Sequence, residues 1–130
     1  MSREAVEVVR GAYDAYARGD LAAAGSAYSA DTVWDLTRFR PDEDVHSGLP
    51  ELARDIGAWR ETWSDHSFVL EQAVDAGDRV VTVIRESGRG RASGAPVEMR
   101  YGQVVTVREG KIVETVVYQD PAEALEAAGL

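Results

Sequence analysis

Along the first eighteen residues the larger apolar side chains Val6, Val9, Tyr13 and Tyr16 recur three and four positions apart. That spacing predicts a helix over 3–18, with Ser2 as a candidate cap. Gly19 ends it, and Asp20 can cap a second helix carrying Leu21, Ala24 and Tyr28. Residues 32–36 predict a short strand. The polar turn "RPDEDVHSG" (40–48) then leads to a helix beginning between Ser47 and Pro50. Its apolar positions Leu52, Ile56, Trp59 and Trp63 are spaced four, three and four, which is one face.

The period then changes. Residues 67–75, 79–87, 96–108 and 111–119 are rich in Val and Ile, and the turn signals "AGD", "GRGRASGA" and "EG" separate them. Connectors this short predict antiparallel neighbours. "DPAEALEAAGL" (120–130) offers Asp120 as a cap, Pro121 at the first helical position, Glu123 in the first turn and Gly129 as a stop. The order predicts one α+β domain over 1–130, with helices on one face of a curved antiparallel sheet.

Composition narrows the chemistry. The chain has 130 residues, of which 45% are apolar, enough for a core without staples. It has no cysteine, which excludes disulfides, thiolate metal sites and a cysteine nucleophile. The two histidines, His46 and His66, do not form a metal-ligand spacing, so neither a metal nor another cofactor is expected. A net charge of −9 disfavours nucleic acid. No apolar run reaches membrane-spanning length and "MSREAVEVV" is unlike a signal peptide, so a cytoplasmic location and no membrane partner are expected. "GRGRASGA" lacks the ending of a phosphate-binding loop and joins two strands.

The stretch "VWDLTRFRPDEDVHSG" (33–48) places one carboxylate, Asp35, directly beside Trp34. Either it points outward, paired with Arg38, Arg40 or Arg85, or it works inside a pocket. Strand alternation sorts 79–87 into two faces: Val81, Val83, Arg85 and Ser87 on one, Val80, Thr82, Ile84 and Glu86 on the other. Polarity alone does not choose between them. Trp59 and Trp63 are expected on the buried face of the long helix. His46 reads as a turn residue, and His66 is assigned no role.

Three segments carry a family resemblance: "AYDAYARGDLAAAGSAYSADTVWD" (12–35), "VHSG" (45–48) and "GKIVETVVYQD" (110–120). They resemble the nuclear-transport-factor-like superfamily, and within it the SnoaL-like group, over essentially the whole chain. The resemblance implies a cone-shaped fold that holds a small apolar molecule between helices and the concave sheet face, and it implies a homodimer. The same scaffold holds isomerases, cyclases, dehydratases, epoxide hydrolases and non-enzymes. Laid on the family pattern, Arg85 points inside with Tyr101, Gln103, Val105, Val107, Thr115, Val117 and Gln119. Val80, Ile84, Val104, Val116 and Tyr118 are left outside as a dimer face.

Asp35 falls where steroid-isomerase-like members carry their general base, and Gln103 where they carry a protonated acid. Ala12 stands at their first-helix tyrosine, with Tyr13 and Tyr16 nearby. Arg85 can match the arginine of the epoxide hydrolases, but Ser87 and Val117 stand where the acids should be. Two expectations follow. In one, an acid–base enzyme of isomerase, cyclase or lyase type acts on a small apolar carbonyl compound. Asp35 is the proton acceptor there, and Arg85, Gln103 and Tyr16 hold the oxygen. In the other, a non-catalytic carrier of an apolar ligand has Asp35 and Arg85 paired. In both, Tyr16, Trp34, Trp59, Trp63, Tyr101, Gln103 and Gln119 are the expected ligand contacts.

Overall fold

A computed structural model describes residues 2–130 apart from the side chain of Ser2, so the expected Ser2 cap lies outside the described residues. In chain order the elements are α1 (Ser2–Ala17), α2 (Leu21–Gly25), β1 (Tyr28–Asp35), β2 (Val45–Ser47), α3 (Leu49–Glu61), β3 (Trp63–Ala76), β4 (Arg79–Gly90), β5 (Pro96–Arg108), β6 (Lys111–Tyr118) and α4 (Pro121–Ala127). Asp20 and Asp120 cap α2 and α4 by accepting from the backbone N–H groups of Ala23 and Ala122.

The six strands form one curved sheet in the order β2-β1-β6-β5-β4-β3. The β3–β6 meander is antiparallel, as its short turns require. The β1–β6 pair is parallel, which makes the sheet mixed. α3 lies in the long crossover between β1 and the meander, so β1 can join β6 in either sense, and the sequence carries no turn signal to fix it.

On the inner face, Ala5, Val9, Ala12 and Tyr13 of α1 pack on Val80, Ile84, Tyr101, Val105, Ile112 and Val117. On the outer face, Ala124 and Ala128 from α4 and its end pack on Val81 and Val104. Gly102 makes that approach possible. A Cβ there would lie 2.8 Å from Ala124 Cβ and 2.9 Å from Pro121 Cα.

The register corrects the expected sorting of β4. Thr82 pairs with Gln103 and Ile84 with Tyr101, so Val80, Thr82, Ile84 and Glu86 face inward. Val81, Val83 and Arg85 face outward. Both faces of β4 are covered, one by α1 and the other by α4, so both read as apolar and alternation cannot name the inner one. Arg85 is half-exposed, 3.6 Å from Glu71, which also pairs with Arg100 at 2.7 Å. It is a surface arginine, not a pocket group.

Candidate functional site

Between the helices and the inner sheet face lies a cavity of about 440 Å³, within the size range of small-molecule sites. Tyr16, Trp34, Phe39, Trp59, Phe68 and Tyr101 supply aromatic walls. Two polar centres lie on the sheet floor.

The first is Glu86, only 1% exposed. Its Oε1 accepts from the Tyr101 hydroxyl, and its Oε2 from Trp59 Nε1 at 3.1 Å. His66 Nε2 also reaches Oε2. An ionised carboxylate only accepts, so with Glu86 charged all three groups donate to it. Burial, then the negative Glu86, hold the Tyr101 phenol well above its ordinary pKa. Tyr101 therefore keeps its proton and stays a donor. Glu86 and Tyr101 line the cavity, whereas His66 sits behind Glu86.

The chain is bent to bring His66 there. The β3–β4 register slips between Ser64 and Ser67, and Asp65 adopts φ 52°. Gly88 on the facing strand has φ 155°, and a Cβ on it would lie 2.9 Å from the carbonyl oxygens of Ser64 and Asp65. A bulge of this kind re-aims one side chain, here the His66 ring, which also stacks on Trp63 with centroids 4.8 Å apart.

The second centre is Gln103, 3% exposed. Its Oε1 accepts from Tyr13 Oη and from Thr82 Oγ1, the latter at 2.9 Å. This leaves the amide N–H₂ with no protein partner among the described residues, on a side chain that lines the cavity. Burial raises the pKa of Tyr13, Tyr28 and Tyr16, so all three are hydroxyl donors near neutrality.

At the solvent-facing end, His46 on β2 meets two acids of α3. Its Nδ1 lies 2.7 Å from Glu51 Oε1 and 3.5 Å from Asp55 Oδ2. Glu43 lies 3.9 Å from its Nε2. The bond to Glu51 raises the His46 pKa and lowers that of Glu51. The three ligand-type atoms of His46, Glu51 and Asp55 fall within 4.8 Å of one another, near enough to share one cation.

Of the residues expected at the site, Tyr16, Trp34, Trp59, Tyr101 and Gln103 line the cavity. Asp35 does not. Its Oδ1 accepts from Thr37 N at 2.9 Å and Thr37 Oγ1 at 2.6 Å, closing the turn after β1. Arg85 is on the outer face, so no Asp35–Arg85 pair forms. Gln119 is engaged at the rim, donating to the Phe39 carbonyl at 2.7 Å. Trp63 opens β3 rather than continuing α3, and it is buried beneath His66. The groups missed in the sequence are Glu86 and His66. No sign in the sequence singled out Glu86, since the face opposite carries Arg85 and Ser87 and polarity does not choose between the two.

The SnoaL-like domain model matches residues 9–115. The chain belongs to the SnoaL-like domain family. No match was found among curated proteins. Among solved structures, this SnoaL-like chain is similar to an NTF2-like protein from Burkholderia thailandensis, with 28% identity, 97% of each chain covered and a TM-score of 0.80. It shares its fold with a ketosteroid isomerase-like protein from Catenulispora acidiphila in complex with trimethylamine, at 17% identity, 95% and 93% coverage and a TM-score of 0.74. It also shares it with TerC co-crystallised with polyporic acid, at 15% identity, 98% and 99% coverage and a TM-score of 0.75.

Proposed function

We propose that this SnoaL-like protein binds a small, largely apolar carbonyl compound in the cavity and moves a proton on it, with Glu86 as acceptor. The observation that carries this reading is a carboxylate 1% exposed on the floor of an aromatic cavity, bonded to a phenol that also lines it. As Glu86 takes a proton from the carbon beside the carbonyl, it no longer needs all three donors. The Tyr101 O–H can then rotate to the oxygen where negative charge develops, and the Gln103 amide is a second donor on the same strand face. Asp35 and Arg85 have no part in this mechanism. That same-fold proteins were crystallised with trimethylamine and with polyporic acid supports a small-molecule site.

The test uses α-tetralone, an aromatic ketone, in deuterated water, with loss of its α-proton signal followed by NMR. The protein accelerates exchange, and Glu86→Gln removes the acceleration while tetralone still quenches tryptophan fluorescence. Equal exchange with both proteins contradicts the reading. A second reading, a carrier without turnover, is favoured by one observation: the donors on Glu86 are all protein groups, so the carboxylate needs no ligand group to satisfy it. Tetralone binding without exchange selects it. Both readings take the protein as a homodimer through the outer sheet face, where Val69 is exposed beside Glu71, Arg85 and Arg100.

A further inference from the structure

Two aromatic faces at the open end of the cavity are already covered by a cation belonging to the chain. The Arg40 guanidinium carbon lies 5.1 Å from the Trp59 ring centroid and 5.4 Å from that of Phe39. The only carboxylate paired with it among the described residues is Glu43, at 3.6 Å, and its side chain is 43% exposed. An exposed pair of that length holds a long side chain weakly.

The rings, in contrast, are fixed without Arg40. Trp59 is tied to Glu86 through its indole N–H and lies edge-on to Trp63. Phe39 lies edge-on to Tyr101, and Gln119 donates to its carbonyl. If Arg40 swings into solvent, the aromatic surface it covered remains in place.

The surrounding charge favours another cation there. Of the ionisable groups lining the cavity, Glu43, Asp55 and Glu86 are acids against Arg40 and His46. With Arg40 displaced the balance is negative even when His46 is protonated. Asp55 Oδ2 is inaccessible to solvent and has no hydrogen-bond donor, although His46 Nδ1 lies 3.5 Å away. Aromatic faces beside carboxylates in a partly desolvated mouth attract an ammonium more strongly than a neutral group of the same shape. An anion held by Arg40 would instead have to approach three carboxylates.

We propose that the cavity takes an organic cation, an apolar body ending in an alkylated ammonium group, and that Arg40 is a displaceable occupant of the ammonium site. This rests on the cavity being the ligand site, and not on whether a reaction follows.

Three probes of one shape test it by tryptophan fluorescence at low salt: benzyltrimethylammonium, its neutral carbon isostere neopentylbenzene, and the anion phenylmethanesulfonate. The cation binds about tenfold tighter than the neutral isostere, the order of a partly desolvated cation–π contact. Arg40→Ala, at a half-exposed position and checked for an unchanged melting temperature, tightens the cation several-fold and leaves the isostere unchanged. Binding of the isostere as tightly as the cation overturns the proposal but keeps the cavity reading. So does tightest binding of the anion, weakened by Arg40→Ala. Failure of all three probes to bind overturns the proposal and the cavity reading together.

Discussion

Tyr101 stands on the cavity floor beside Glu86. It is buried, it stays protonated because burial and the Glu86 charge oppose its ionisation, and its hydroxyl is one of three donors that make a buried carboxylate tolerable. Removing one donor from a buried charged group costs more than a neutral hydrogen bond. Tyr101→Phe is therefore expected to lower stability by about 1–3 kcal/mol in denaturant titrations. A loss within error of zero would mean that Glu86 does not depend on that bond. Tyr101 and Gln103 could be placed on the inner face through the family resemblance, and both line the cavity. Glu86 could not, because β4 is apolar on both faces and only its register with Tyr101 and Gln103 reveals which face is inner.

Two elements depart from regular geometry to build the site. The helical period of Leu52, Ile56 and Trp59 runs on to Trp63, but α3 stops at Glu61 and the chain turns into β3. The side-chain pattern continues across that break, so nothing in the spacing reveals it. The bulge that follows carries His66 to Glu86 and depends on Gly88 opposite. Gly88→Ala would press a methyl group against two backbone oxygens at a φ that L-residues rarely adopt. It is expected to cost about 1–3 kcal/mol and to disturb the His66 ring signals in NMR spectra. Unchanged stability and unchanged signals would show that the bulge is loose.

The link from β2 to α3 depends on pH. His46, with its pKa raised by Glu51, favours the folded state fully below its ordinary value of about 6.5, and this contribution fades as pH rises through the folded value. Glu51, with its pKa lowered, contributes above its ordinary value of about 4.5, and this is lost as pH falls through its folded value. Glu43 and Asp55 add negative charge around the same ring, and Arg40 offsets part of it through Glu43. The melting-temperature gap between wild type and His46→Asn is expected to be widest between about pH 4.5 and 6.5 and to narrow toward pH 9. A gap constant across that range would contradict the link.

For the whole molecule, element order was the legible part: helices, a short strand, a helix and a meander lead to an α+β fold, and the meander's turns set its pairings. The parallel β1–β6 contact was not legible, because it joins strands far apart in sequence. The proposed dimer belongs to this scale as well. Sedimentation is expected to give twice the 14.1 kDa chain mass, with Val69→Lys shifting the protein toward monomer. A monomeric wild type would confine function to one chain.

If Glu86 is the proton acceptor, the cavity carboxylate meets the ligand. The most direct measurement is a crystal structure of the protein grown with α-tetralone. The ketone is expected among Trp59, Phe39 and Phe68, its oxygen bonded to Tyr101 Oη or Gln103 Nε2. Its α-carbon should lie within about 3.5 Å of a Glu86 carboxylate oxygen, the separation needed for proton transfer. A ligand bound elsewhere, or in the cavity with its oxygen turned to the mouth and its α-carbon away from Glu86, would contradict that role for Glu86.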